Sequence, residues 1–270
     1  MQIKDFIPPI AQKLVSRLRP RQYGWFGDYS TWDEAARNSS GYDADAILQK
    51  VKEALLKVKS GEAAYERDST LFDRIEYSWP SLAVLMWVAA QNEGKLNVLD
   101  FGGSLGSTYF QNRKFLSDLE NVKWNIVEQA IFVEYGKKFF EDDRLRFFET
   151  IESCFHENHV QVVVFSCVLQ YLEFPFKYLD QAFRFHPPFI IIDNMPFLKQ
   201  GKDRITIQKV PPEIYSASYP CWFLNRSKFL EVFHEQYELI ADFKSSLSIS
   251  LDGNFVPYEG FIFKRNFKKF

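Results

Sequence analysis

Hydrophobic positions along the chain follow a helical spacing up to about residue 94 and a different spacing beyond it. In the first part, apolar residues recur every three or four positions over residues 43–61, and they fill nearly every position of residues 78–91. The first pattern predicts an amphipathic helix and the second a buried helix. Another helix is predicted over residues 8–19, and residues 24–32 are predicted to be an aromatic loop that either covers the core or lines a binding site.

Beyond residue 94, short β-rich runs alternate with helical patterns. The predicted strands are residues 96–101, 123–127, 145–148, 161–165 and 189–192. The predicted helices between them are residues 106–118, 130–141 and 174–184. Apolar strands that alternate with helices predict a doubly wound α/β fold, in which helices cover both faces of a mostly parallel sheet.

The alternation stops at about residue 194 and resumes only near residue 225. Residues 194–225 are rich in proline, tyrosine and serine, and we expect them to form an insertion at the carboxyl ends of the strands. A helix near residues 227–234 and two β segments, residues 237–244 and 255–264, are predicted to follow. The chain therefore divides into a helical N-terminal extension over residues 1–93 and a domain over residues 94–270.

The first predicted strand ends in a carboxylate that lies inside a glycine-rich turn. Asp100 is followed by Gly102, Gly103 and Gly106, and glycines at this position let a ligand approach the backbone closely. A carboxylate there would repel the diphosphate of a dinucleotide but suits a cationic donor without phosphate; alternatively, Asp100 caps the next helix. Glu128 ends the second predicted strand, where a carboxylate can accept both hydroxyls of a ribose.

The order of strand, Asp-x-Gly turn, helix, strand and acid resembles the signature of class I S-adenosylmethionine-dependent methyltransferases over residues 95–194. The resemblance implies a seven-stranded sheet with an antiparallel last strand, S-adenosylmethionine as cofactor and S-adenosylhomocysteine as product. It implies cofactor-binding residues at three strand ends: Asp100, Phe101, Gly102, Gly103, Ser104, Gly106, Glu128, Gln129, Ser166 and Cys167. Because N-terminal segments of this fold commonly cover the methionine end, Arg67 either pairs with the donor's carboxylate or joins an ion-pair cluster with neighbouring acids.

Further segments, among them residues 66–68, 77–80 and 168–171, look like those of an uncharacterised bacterial family of methyltransferase-like proteins. That family is often linked with surface-polysaccharide gene clusters. The resemblance implies a small-molecule or glycan-precursor acceptor and a role in polysaccharide biosynthesis. Two other functions stay open: a methyltransferase-like scaffold without turnover and an NAD-dependent nucleotide-sugar oxidoreductase.

Candidate acceptor residues follow the fourth and fifth predicted strands. Asp193 ends the fifth strand, and we predict that it either serves as the catalytic base or caps the next turn. Side chains that suit a sugar ring are predicted either to bind the acceptor or to stabilise the fold by packing: Tyr171, Arg204, Tyr215 and Tyr219. His156, His159 and His186 precede strands and should emerge at the opposite edge of the sheet, so none is a convincing base. Oxygen is the expected methylated atom.

Composition and charge argue against several kinds of partner and site. A net charge of −2 offers no general attraction for a phosphate backbone, so nucleic acid is not an expected partner. The three cysteines are widely spaced, and His156 and His159 have no third ligand nearby, so neither a disulfide framework nor a metal site is expected. The chain shows no secretion leader and is expected to be cytoplasmic; its basic residues 1–21 either pack on the body or contact an anionic membrane surface.

Overall fold

The computed structural model describes residues 22–41 and 44–266. The strands in this part of the chain are β1 (Gly24–Tyr29), β2 (Tyr65–Arg67), β3 (Thr70–Phe72), β4 (Lys95–Phe101), β5 (Asn121–Val127), β6 (Leu145–Phe148), β7 (Val162–Ser166), β8 (Phe189–Leu198), β9 (Arg204–Lys209), β10 (Ser218–Asn225), β11 (Tyr237–Leu251) and β12 (Asn254–Arg265). The helices are α1 (Trp32–Arg37), α2 (Ala44–Ser60), α3 (Trp79–Gln91), α4 (Ser107–Leu116), α5 (Ala130–Phe139), α6 (Ile151–Glu157), α7 (Pro175–Phe183) and α8 (Arg226–Glu231).

Seven strands form the central part of one large sheet, in the spatial order β6-β5-β4-β7-β8-β12-β11. The ladders from β6 to β8 are parallel, whereas β12 runs antiparallel to β8 and to β11. The sheet reverses its winding between β4 and β7, where ligands of open parallel sheets bind. The predicted fold class, a doubly wound sheet with an antiparallel last strand as in class I methyltransferases, is confirmed.

Three more strands extend this sheet beyond its carboxyl edge. β7 ends at Ser166, but β8 continues to Leu198, and its last residues pair with β10. β9 pairs with β10, and β1 pairs with β9, both antiparallel. The sheet therefore has ten strands where the sequence predicts seven, because the segment between β8 and β11 supplies strands that the sequence pattern does not reveal.

The N-terminal residues also differ from their prediction in part. Residues 24–32 were expected to be a loop, but most of them form β1, because β9 offers them an unpaired edge. A two-stranded hairpin, β2 and β3, follows α2, so the N-terminal extension is not wholly helical. The predicted boundary at residue 93 stays a prediction, although β1 belongs to the same sheet as β9. The predicted helix 8–19, the basic residues 1–21 and the predicted helix start at Asp43 lie outside the described residues.

Alternate residues of the strands point to two separate layers of helices. In β4, Leu96 and Val98 pack with α2 to α5, whereas Leu99 and Phe101 pack with α6 to α8. This alternation is the two-residue period that places neighbouring side chains on opposite faces of a sheet. Among the described residues, no helix combines the length and apolar character needed to span a bilayer.

Gly136 shows how closely one helix approaches this sheet. It lies within α5, and a Cβ atom built on it would overlap the ring of Phe147 in β6. Alanine normally favours a helix by about 1 kcal/mol over glycine. We expect Gly136→Ala to lower the free energy of unfolding by about 1–3 kcal/mol instead, because the added methyl group must displace a buried ring.

Urea denaturation of wild type and variant measures this difference. Lys137→Ala, at an exposed position of the same helix, is the control and should change stability by less than about 0.5 kcal/mol. A Gly136→Ala protein that is more stable than wild type would contradict the close packing of α5 on β6.

Candidate functional site

The carboxyl ends of four parallel strands meet at one edge of the sheet. In the ladder registers, Phe101 of β4 pairs with Val127 of β5 and with Phe165 of β7. Ser166, the last residue of β7, pairs with Asp193 of β8. Residues that follow these strands are therefore brought together, although they are far apart in the sequence.

Asp100 lies beneath the turn between β4 and α4. It is 1% exposed, and the indole N–H of Trp124 donates to its Oδ2 at 3.0 Å. A Cβ atom on Gly103 would lie 2.7 Å from the Asp100 Cγ, so only glycine leaves room for the carboxylate there. Gly102, with φ of +71°, could not carry a Cβ either, because it would overlap Val168. The turn thus needs glycine at position 103 because of the buried acid and at position 102 because of Val168.

Glu128, the predicted ribose ligand, lies across the same turn. Its Oε1 accepts the backbone N–H of Ser104 at 3.3 Å, and its Oε2 accepts the backbone N–H of Gln129 at 2.8 Å. Burial raises the pKa of Glu128, and these two backbone hydrogen bonds oppose the rise. Each carboxylate oxygen can accept a second hydrogen bond, so the side chain can still bind a ligand's hydroxyl groups.

The charge of Glu128 makes the buried Asp100 carboxyl harder to ionise. Burial raises the pKa of Asp100 to about 7; the Trp124 hydrogen bond lowers it, and the charge of Glu128 raises it further. A nearby positive charge stabilises the ionised form of such an acid. The turn therefore presents an environment that favours a cation over a diphosphate.

The β2–β3 hairpin packs against the first turn of α4. Glu66 is 2% exposed, and its carboxylate accepts the hydroxyl of Ser107 at 2.6 Å and the backbone N–H of Ser69 at 2.7 Å. The adjacent Arg67 forms an ion pair with Glu76 at 3.2 Å. Of the two roles expected for Arg67, this contact matches the ion-pair cluster, and the contact with a donor's carboxylate stays a prediction.

Asp193 is buried at the other side of the edge, against the start of α3. The hydroxyl of Ser81 donates to its Oδ2 at 2.7 Å, and the hydroxyl of Ser78 donates to Ser81 at 3.0 Å. The second carboxylate oxygen, Oδ1, is buried and has no hydrogen-bond partner among the described residues. Burial raises the pKa of Asp193, and the hydrogen bond from Ser81 opposes the rise.

Cys167 follows β7 and lies beside Asp193. Its backbone N–H donates to the Asp193 carbonyl at 2.9 Å, and the fully buried Gln170 directs its amide N–H to the Cys167 sulfur at 3.3 Å. Burial raises the pKa of the Cys167 thiol to about 12, with further increases from the charges of Asp68 and Asp193. A thiol of this kind stays protonated at neutral pH, which argues against a nucleophilic role.

Three of the four predicted acceptor residues lie together, and the fourth does not join them. The hydroxyls of Tyr215 and Tyr219 are 3.1 Å apart, and the rings of Tyr171 and Tyr219 meet edge to face with centroids 5.4 Å apart. Arg204 lies at the far end of β9, where its guanidinium binds the carbonyl of Gly27 and forms an ion pair with Asp252. These contacts give Arg204 a role in joining β1 and the β11–β12 hairpin to β9.

The structure also adds residues that the sequence did not single out. Trp124, Ser81 and Glu66 each hold a site residue or a site element in place. The alternation of strand 123–127 predicts that Trp124 is buried, but nothing in the sequence links it to Asp100. Gln170, in the segment 168–171, has a buried Oε1 without a partner among the described residues.

The remaining chemistry-bearing residues lie elsewhere. His159 lies near Lys95 and Asn121, which start β4 and β5, and therefore sits at the amino edge of the sheet, as expected. Cys154 and Cys221 are buried and unpaired. Within the described ranges, no group of three or more His, Cys, Asp or Glu side chains is arranged to hold a metal ion.

Comparisons with known proteins give a similarity in structure but not in sequence. No model of a known protein family matches the chain, and no curated protein is similar to it in sequence. The N-terminal domain of EvdMO1, solved with S-adenosylhomocysteine and D-fucose, is 13% identical over 83% of this chain and 98% of its own, with a TM-score of 0.46.

Two other solved structures have comparable scores. A methyltransferase from Methanosarcina mazei is 11% identical over 65% of this chain and 95% of its own, with a TM-score of 0.45. The magnesium protoporphyrin IX methyltransferase from Synechocystis PCC 6803, solved with bound S-adenosylmethionine, is 9% identical over 70% of this chain and 79% of its own, with a TM-score of 0.42. The fold assignment itself rests on the strand order and register described above.

The buried Asp100 carboxyl predicts an unusual dependence of stability on pH. Its folded-state pKa of about 7 exceeds the ordinary value of 3.8, so the folded protein binds this proton more tightly than the unfolded chain does. The contribution of Asp100 to the free energy of unfolding therefore falls as pH rises from about 4 to about 7. Asp100→Asn keeps an acceptor for the Trp124 indole and removes the charge, so the variant should gain about 2 kcal/mol on wild type between pH 5 and pH 8.

Urea denaturation of both proteins at the two pH values measures this gain. Asp143→Asn removes a charge from an exposed position and should follow the wild-type pH dependence. The same pH dependence in wild type and Asp100→Asn would contradict the raised pKa.

Proposed function

We propose that this protein is an S-adenosylmethionine-dependent methyltransferase that acts on a small-molecule or glycan-related acceptor, with oxygen as the methylated atom. The observation that carries the proposal is the acidic turn, in which Asp100 lies beneath Gly103 and Glu128 lies across it. S-adenosylmethionine carries a positive sulfonium and no phosphate, so this environment favours it, whereas a dinucleotide would bring its diphosphate against two acids.

In the proposed complex, the turn supports the methionine part of the donor and Glu128 accepts the ribose hydroxyls. Asp100 is too deeply buried to touch the donor, and it acts through its charge and by shaping the turn. The donor supplies a methyl group on a positively charged sulfur, which an acceptor atom displaces in line. The protein's part is to hold donor and acceptor in that line and to take up the acceptor's proton.

Asp193 is the proposed proton acceptor. It lies beside Cys167 at the edge shared with the turn, and its Oδ1 is free of hydrogen bonds from the described residues. A carboxyl with a raised pKa is a stronger base toward a hydroxyl proton than an ordinary surface carboxylate. Its Oδ2 contact with Ser81 fixes the carboxylate's orientation at the start of α3.

Titration calorimetry with S-adenosylhomocysteine and with NADH tests the cofactor. Glu128→Gln should weaken binding of S-adenosylhomocysteine about 10-fold to 100-fold, because it removes a charged acceptor for the ribose hydroxyls. Glu141→Gln, at an exposed position just beyond α5, is the matched control and should bind like wild type. Binding of NADH but not of S-adenosylhomocysteine would overturn the proposal in favour of an oxidoreductase.

Methyl transfer to acceptors in a cell extract, followed with radiolabelled donor, tests whether Asp193 is the base. Asp193→Asn should lower the rate of transfer about 10²-fold to 10⁴-fold and leave affinity for S-adenosylhomocysteine unchanged. Asp180→Asn, exposed on α7, serves as the control. A wild-type protein that binds the donor but transfers no methyl group would favour the scaffold, and an unchanged rate in Asp193→Asn would exclude Asp193 as the base.

A further inference from the structure

Ser78 directly precedes α3, but its hydroxyl does not cap that helix. A serine at this position commonly accepts a backbone N–H from the first turn of the helix, and the loss of such a cap destabilises the helix. The Ser78 side chain forms no capping bond, and its hydroxyl donates instead to the hydroxyl of Ser81 at 3.0 Å. The Ser78 hydroxyl is therefore directed at a neighbouring side chain and leaves the end of the helix without this support.

The start of α6 shows what the same residue spacing does elsewhere in this chain. Thr150 and Ser153 are also three positions apart, and they form a reciprocal capping box. The Thr150 hydroxyl accepts the Ser153 backbone N–H at 3.0 Å, and the Ser153 hydroxyl accepts the Thr150 backbone N–H at 3.4 Å. The different arrangement at Ser78 and Ser81 is therefore not set by their spacing, and it coincides with a tertiary contact to Asp193.

The carboxylate of Asp193 fixes the direction of both hydrogen bonds. An ionised carboxylate can only accept, so the Ser81 hydroxyl must donate to Asp193 Oδ2, which it does at 2.7 Å. Because a hydroxyl has one proton, the Ser81 oxygen is then left to accept from Ser78. The Ser78 oxygen can in turn accept a hydrogen bond from a further hydroxyl. The three side chains form a chain of hydrogen bonds directed toward the carboxylate.

The hydrogen-bonded chain connects a buried group to residues nearer the surface. Asp193 is 4% exposed and its Oδ1 is buried, so an acceptor hydroxyl does not reach that oxygen directly. Ser81 and Ser78 are both half-buried. A proton can therefore reach the carboxylate at Oδ2 through the two serine hydroxyls, without a ligand touching Asp193.

The chain lies at the same sheet edge as the glycine turn proposed to hold the donor. Gly102 of that turn packs against Val168, since a Cβ on Gly102 would overlap the Val168 side chain. The residue before Val168, Cys167, donates its backbone N–H to the Asp193 carbonyl at 2.9 Å. Two direct contacts thus link the turn to the residue at which the hydrogen-bonded chain ends.

We infer that Ser78 and Ser81 relay the acceptor's proton to Asp193, and that Ser78 is the residue that contacts the acceptor hydroxyl, an inference that rests on the proposed function. As the acceptor oxygen bonds to the methyl carbon and the carbon–sulfur bond breaks, the acceptor's proton moves to Ser78. The Ser78 proton moves to Ser81, and the Ser81 proton moves to Asp193 Oδ2. Both serines end neutral, and the positive sulfur and the negative carboxylate lose their charges together.

Methyl transfer to acceptors in a cell extract, with protein in excess over radiolabelled donor, tests the relay in a single turnover. Ser81→Ala interrupts the chain and should lower the rate about 10-fold to 100-fold, which is part of what a base supplies. Ser81→Thr keeps a hydroxyl and should stay within about threefold of wild type. Ser153→Ala, which removes a hydroxyl from the same position of α6, is the matched control and should transfer at the wild-type rate.

The same reaction in mixtures of H₂O and D₂O separates a relay from a structural role of the serines. Several protons move in one step of the relay, so the wild-type rate should fall along a curve as the fraction of deuterium rises. A wild-type rate that does not respond to deuterium, or equal rates in Ser81→Ala and wild type, would overturn the relay. Affinity for S-adenosylhomocysteine should be unchanged in Ser78→Ala and Ser81→Ala, and its loss would assign the serines to the donor instead.

Urea denaturation tests the use of the Ser78 hydroxyl without any acceptor. Thr150→Ala removes a helix cap and should lower the denaturation midpoint, whereas Ser78→Ala removes no cap and should lower it by less. An equal or larger loss in Ser78→Ala would mean that this hydroxyl stabilises the helix, and would overturn the relay. A wild-type protein that binds S-adenosylhomocysteine but transfers no methyl group would count against the proposed function, whereas normal transfer by both serine-to-alanine variants would overturn the relay alone.

Discussion

The carboxylate of Asp100 lies beneath the turn between β4 and α4, held by one neutral donor, the Trp124 indole. This burial requires glycine at position 103, because any Cβ there would meet the carboxylate, and it keeps the turn close to the sheet. Glu128 then reaches the Ser104 backbone on the same turn. Two acids are thus brought together at a strand edge, and the cost of ionising them favours a cationic ligand over an anionic one.

The residues before β4 complete the site from both sides. The β2–β3 hairpin bonds the start of α4 through Glu66, while Ser81 at the start of α3 bonds Asp193. One N-terminal segment therefore contacts the donor side through the hairpin and the acceptor side through α3. This arrangement gives the segment contacts on both sides of the proposed site.

The strands beyond the carboxyl edge position Tyr171 and Tyr219 beside each other. β8 extends beyond the end of β7, and β10 pairs with the last residues of β8. Tyr219 lies on β10, and the hydroxyl of Tyr171 donates to Gln208 on β9 at 2.8 Å. The insertion thus extends the sheet, and the connection between β9 and β10 carries Tyr215 to the hydroxyl of Tyr219.

The sequence by itself determined the order of the central strands and helices, the acidic turn at Asp100 and the position of Glu128 at a strand end. These features are local: hydrophobic periods of two and of three to four residues, and glycines next to an acid, depend on neighbouring positions in the chain. Only the tertiary structure decided that residues 24–29 form a strand, that Arg204 joins β1 to β9 and that Ser81 donates to Asp193. Each of these depends on a partner far away in the sequence, and a strand edge or an ion pair leaves no period in the residues that form it.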